Sequence, residues 1–108
     1  MKIEEVFARR RFIMLDGAMG TQLQLRGLTT EQKPELAAFI MPDVLTAVHR
    51  DYARSGADIL LANTFGANPR KLKGTGYTVQ QVIEASIACA RTAAQETGAL
   101  VALDIGPI

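Results

Sequence analysis

Only one cysteine, Cys89, occurs in 108 residues, so no internal disulfide can form. Nothing in the sequence asks for an oxidising compartment, and a cytoplasmic setting is expected. Charge of one sign is also missing. Twelve Lys and Arg against eleven Asp and Glu leave a net charge of +1. That excludes the basic footprint of a nucleic-acid binder and the acidic balance of a disordered tail. No apolar run nears the roughly 20 residues that span a bilayer, and Met1-Lys2-Ile3-Glu4-Glu5 puts acids where a signal peptide would begin its apolar core. Neither nucleic acid nor membrane is expected as a partner. There is no low-complexity segment, no linker, and length for one small domain.

What is present is a repeated grammar of apolar run, polar tip and glycine. Residues 12–15 (Phe-Ile-Met-Leu) are unbroken by polarity, as in a strand buried on both faces, and end in Asp16-Gly17-Ala18-Met19-Gly20. Asp58-Ile59-Leu60-Leu61-Ala62 ends in Asn63-Thr64-Phe65-Gly66. Leu100-Val101-Ala102-Leu103 ends in Asp104-Ile105-Gly106-Pro107. Three buried strands that each finish in polar residues and a flexible turn point to one shared site at the lip of a sheet.

Helical periodicity fills the intervals. Residues 2–10 read as a short helix able to cover the bottom of a sheet, with Arg9 and Arg10 suited to the negative end of its dipole. The connection between Leu15 and Asp43 is too long for one helix. Residues 21–26, stopped by Gly27, and residues 35–40 are short helical candidates around a polar loop, and such an excursion reads as a lid or binding loop. Residues 43–55 form a long helix with an apolar stripe of Val44, Leu45, Val48 and Tyr52, ended by Gly56. Residues 69–73 read as a short helical piece. Residues 79–97 form a second long helix, with Val79, Val82, Ile83, Ile87, Ala90 and Ala94 facing one way and Gly98 closing it.

Strand–helix alternation implies parallel strands joined by right-handed crossovers. Three such strands leave open edges and little core. The inward residues, taken as Ile13, Leu15, Ile59, Leu61 and Val101, would lack an opposing wall. The fold expected is a (β/α)8 TIM barrel of typically about 250 residues, of which residues 1–108 supply the first three β/α units. The alternative is a doubly wound nucleotide fold. Against it, Gly17-Ala18-Met19-Gly20 is not the dinucleotide fingerprint, and strand two ends in Asn63 rather than a ribose-binding acid.

Barrel sites lie at the C-terminal ends of the strands, which nominates Asp16, Asn63, Thr64 and Asp104. A carboxylate pairs with an ammonium, and backbone N–H groups in the turn at 17–20 can hold a carboxylate. Together they suit a zwitterion, an amino acid. Asp16 and Asp104 could alternatively cap their own turns, or hold Mg²⁺, although no ligand cluster accompanies them. His49, mid-helix at the boundary of the apolar stripe, reads as structural, and Cys89 reads as packing. The run Arg70, Lys71 and Lys73 reads as solvated surface.

The motifs Leu15-Asp16-Gly17-Ala18-Met19-Gly20-Thr21, His49-Arg50, Ser55-Gly56-Ala57-Asp58-Ile59, Asn63-Thr64-Phe65-Gly66-Ala67 and Asp104-Ile105-Gly106-Pro107 resemble, in order and spacing, the homocysteine S-methyltransferase family. The likeness is strongest to the homocysteine-binding module of its cobalamin-dependent members. The resemblance implies a (β/α)8 barrel that binds homocysteine and a catalytic Zn²⁺. It places Asp16 on the substrate amino group, Gly17 and Ala18 on its carboxylate, and Asn63 and Thr64 on the pocket wall. The zinc would bind the thiol as a thiolate, its nucleophilic form. The family's zinc-binding cysteines have no counterpart in this sequence, Cys89 matching none of them, so the segment is expected to contribute substrate contacts, no metal ligand and no activity alone. The donor implied is methylcobalamin or methyltetrahydrofolate, with cobalamin carried by the full-length enzyme. A cobalamin-independent enzyme using betaine or S-methylmethionine, or a non-catalytic binding or assembly piece, are the alternatives.

Overall fold

Residues 2–9 and 14–106 are described by the computed structural model. In order they form α1 (Ile3–Arg9), α2 (Gly20–Leu25), a 3-10 turn (Pro34–Leu36), α3 (Ala37–Ile40), α4 (Pro42–Arg54), β1 (Ile59–Leu61), α5 (Pro69–Leu72), α6 (Val79–Ala94) and β2 (Leu100–Ala102). The expected first strand lies partly outside the described residues. Its visible end makes a parallel bridge from Leu15 to Ile59, with the Ile59 N–H donating to the Met14 carbonyl and the Asp16 N–H to the Ile59 carbonyl. β1 also pairs in parallel with β2, Ile59 opposite Leu100 and Leu61 opposite Ala102. β1 is therefore central, and the three segments lie side by side in sequence order.

The register corrects one expectation. Paired residues of parallel strands point the same way and successive ones alternate. Leu100 and Ala102, not Val101, therefore share the face of Ile59 and Leu61. Val101 pairs with the fully buried Leu60 and packs with Ala53, Ala93 and Ala94 beneath the helices. The opposite face has little cover, and Leu15 on it is about half exposed. The N-terminal end of α1 (Ile3 and Glu4, with Lys2) borders a shallow cavity floored by Ile59, Leu100 and Ala102.

The helices hold the sheet through small residues. The buried stripe of α6 runs through Val82, Ser86, Cys89, Ala90, Ala93 and Ala94, of which Val82, Ala90 and Ala94 were expected, while Ile83 and Ile87 are only half buried. The stripe is thus rotated from the one expected from its larger aliphatic residues, because small side chains let α4 approach closely. Leu23, Leu28, Ala37, Ala38, Leu45, Val48 and Cys89 form the principal core cluster. The ends of α2 and α4 follow the expected glycine pattern. Gly27 (φ 120°) and Gly56 (φ 109°) take a left-handed conformation that lets Leu28 N–H return to the Leu23 carbonyl and Ala57 N–H to the Tyr52 carbonyl. α6 begins with a reciprocal cap, the Thr78 hydroxyl accepting from Gln81 N–H and the Gln81 side chain accepting from Thr78 N–H. His49 is fully buried on α4 rather than at its boundary, and Arg70, Lys71 and Lys73 are exposed.

Candidate functional site

Asp16 stands where the first segment leaves the sheet. After Asp16 N–H bonds the Ile59 carbonyl, the next rung of a parallel ladder would run from Leu61 N–H to the Asp16 main-chain carbonyl. The side chain takes that place instead, Asp16 Oδ2 accepting from Leu61 N–H at 3.2 Å. The main chain is thereby released into the glycine turn. Oδ1 is buried and has no hydrogen-bond partner among the described residues. Burial raises the carboxyl pKa above its ordinary value. Hydrogen bonds from backbone N–H groups oppose that shift, and the charge of Asp104 adds to it.

The other two tips are tied to each other and to the 3-10 turn. Asn63 donates from Nδ2 to the Pro34 carbonyl at 2.7 Å, which anchors the 3-10 turn over the sheet. Thr64 is buried, and its hydroxyl both donates to the Asp104 carbonyl (2.8 Å) and accepts from the Asp104 N–H (2.9 Å). It therefore links the tip of β1 to the tip of β2.

These tips surround a cavity of about 340 Å³. Asp16, Gly17, Ala18, Asn63 and Asp104 all line it. Thr64 does not. It borders an adjoining apolar cavity of about 230 Å³ with Ile83, Leu103 and Ile105, and it acts on the first cavity through Asp104. Within the turn, the N–H groups of Gly17, Ala18 and Met19 donate to no group among the described residues. Glu35 also lines the cavity, carried there by the segment expected to be a lid. Its individual role had no motif to announce it, and neither did that of Tyr52, whose hydroxyl donates to the Ala18 carbonyl at 2.7 Å.

The described residues do not supply a zinc site. No group of three or more His, Cys, Asp or Glu among them is placed to hold a metal ion. Cys89 is buried between α6 and the start of α4, its Sγ 3.8 Å from the Pro42 carbonyl, and it does not line the cavity at the strand tips. His49 lies in that same helix layer, and burial lowers its pKa to about 4.

Fold and site together define a parallel α/β protein with a cavity, lined in part by Asp16, Asn63 and Asp104, at the C-terminal ends of its strands. The sequence model of the homocysteine S-methyltransferase family matches residues 13–108. The chain is 37% identical over 97 residues to methionine synthase of Mycobacterium tuberculosis, covering 82% of this chain and 8% of that protein. It is 36% identical over 93 residues to betaine–homocysteine S-methyltransferase 1 of Danio rerio, covering 81% of this chain and 23% of that one. The metallated form of the homocysteine methyltransferase MmuM from Escherichia coli superposes with a TM-score of 0.86 at 26% identity, over 97% of this chain and 41% of that one. The chain belongs to the homocysteine S-methyltransferase family. It spans less than half the length of each of these relatives.

Proposed function

We propose that this segment is the substrate-holding part of a homocysteine S-methyltransferase of the methionine synthase kind, and that it contributes the first three β/α units of a (β/α)8 barrel in a cytoplasmic enzyme. The observation that carries the reading is a pairing of unmet groups in one cavity. Among the described residues, a buried carboxylate oxygen of Asp16 lacks a donor, and the adjoining turn offers N–H groups that lack an acceptor. An α-amino acid supplies both complements at the spacing of one carbon: its ammonium meets Asp16, and its carboxylate meets Gly17 and Ala18. The ammonium also offsets the cost of ionising a buried acid. Asn63 and Asp104 shape the remaining wall, and Thr64 holds Asp104 in place. The reaction assigned to the whole enzyme is methyl transfer to the homocysteine sulfur, giving methionine. Following the resemblance, the donor assigned is methylcobalamin or methyltetrahydrofolate. The zinc it implies finds no ligand set among the described residues, so the roles assigned to this segment are those of binding and orientation.

Asp16→Asn tests the reading, because the amide oxygen can still accept from Leu61 N–H while the charge is lost. L-homocysteine should bind about ten- to a hundredfold more weakly, the worth of a charge-assisted hydrogen bond. Wild-type affinity should fall on acidification at a pH above the ordinary carboxylate range, since only the ionised acid pairs with the ammonium. Calorimetry showing the same affinity in both proteins would reduce Asp16 to the closing rung of a strand.

A further inference from the structure

Tyr52 projects from the last turns of α4 and reaches the glycine turn from behind. Its hydroxyl donates to the Ala18 carbonyl, and its ring occupies the space beside Gly17. A Cβ at position 17 would stand 3.0 Å from Tyr52 Cε1 and Oη. Tyr52 is itself fixed, because its main-chain carbonyl accepts the Ala57 N–H that closes α4. The neighbouring Asp51 forms an ion pair with Arg26 at the end of α2. Both ends of the segment 17–26 are thus fastened to one turn of α4. Between the fastenings lies the Met19 N–H, which shares a peptide plane with the Ala18 carbonyl and donates to no group among the described residues.

We infer that Tyr52 is a positioning residue for the substrate carboxylate: by holding the Ala18 carbonyl from behind it sets the Ala18–Met19 peptide plane, so that the Met19 N–H, which points opposite to that carbonyl, faces the cavity beside the N–H groups of Gly17 and Ala18. The inference rests on the homocysteine-binding reading above. It also explains why position 17 carries no side chain, since the ring that steadies the turn fills the space a Cβ would need.

The test is Tyr52→Phe, which keeps the ring and removes one hydroxyl. Three thiols are titrated by calorimetry against the protein: L-homocysteine, 4-sulfanylbutanoate (no ammonium) and 3-aminopropane-1-thiol (no carboxylate). The variant should bind the two carboxylates about three- to tenfold more weakly, the worth of one neutral hydrogen bond, and bind the aminothiol unchanged. Its melting temperature should be unchanged, and the Leu23 amide, which donates to the Met19 carbonyl just past the turn, should exchange faster. Unaltered affinities, or an equal loss for all three thiols with a lowered melting temperature, would overturn the inference and leave Tyr52 a packing residue. A wild-type protein that does not bind homocysteine would overturn the reading beneath it and the inference together. Slow exchange at Leu23 in the variant would overturn the clamp alone.

Discussion

Acidification should cost this fold stability through one side chain, His49. The ring is fully buried on α4, and neither nitrogen has a hydrogen-bond partner among the described residues. Desolvation lowers its pKa from 6.5 to about 4, because a charged imidazolium would sit in the apolar layer beneath the sheet. A lowered folded-state pKa means that the unfolded chain takes up the proton first. The contribution is therefore complete above pH 6.5 and drains away as the pH falls toward 4. At pH 5 the loss is about 2 kcal/mol, and below pH 4 it approaches about 3 kcal/mol, set against typical domain stabilities of about 5–15 kcal/mol. Urea titrations of wild type and His49→Leu at pH 7 and pH 5 isolate the effect, since the packing cost of leucine cancels in the difference between pH values. The variant should lose about 2 kcal/mol less than wild type over that interval. Equal losses in the two proteins would show that His49 meets the proton with a partner or with solvent, and the reasoning would fail.

Thr64→Val keeps the shape of a buried side chain but strips two hydrogen bonds from the Asp104 backbone. Unfolding measurements should show about 1–3 kcal/mol of destabilisation, and Thr64→Ser should recover most of it. At Gly106 a Cβ would run into the Phe65 carbonyl, a backbone atom that cannot swing aside. Gly106→Ala should therefore destabilise by about 1–3 kcal/mol, read as a lowered urea midpoint, and an unshifted midpoint would refute the contact.

Much of the frame was legible because it rests on periodicity. Both long helices, the central strand and the glycine stops after α2 and α4 follow from patterns local to a few turns. The strand tips were legible too, since an acid or amide closing an apolar run has few other places to stand. What was hidden depended on partners distant in sequence. The inward face of β2 follows from its register with β1, and one residue of slip moves every side chain to the other face. The buried stripe of α6 takes in Ser86 and Ala93 beside the expected Val82, Ala90 and Ala94, while the larger Ile83 and Ile87 stay half buried. Glu35 and Tyr52 reach the site from segments whose own sequence holds no motif for it, and Thr64 turned out to act through its neighbour's backbone.

The rung that Asp16 makes to Leu61 has a twin at the other end of the same short ladder. There the carboxylate of Asp58 accepts from Met14 N–H at 2.8 Å, where a main-chain carbonyl would otherwise serve. The first segment is thus fastened to β1 by an acid at each end, and one of those fasteners is also the group assigned to the substrate ammonium. Occupancy of the cavity and attachment of that strand would then be two equilibria coupled through one carboxylate. A bound cation that keeps Asp16 ionised strengthens the acceptor that Leu61 needs, so ligand tightens the sheet. By reciprocal linkage, the free energy by which a bound cation tightens the first segment equals the free energy by which attachment of that segment tightens binding.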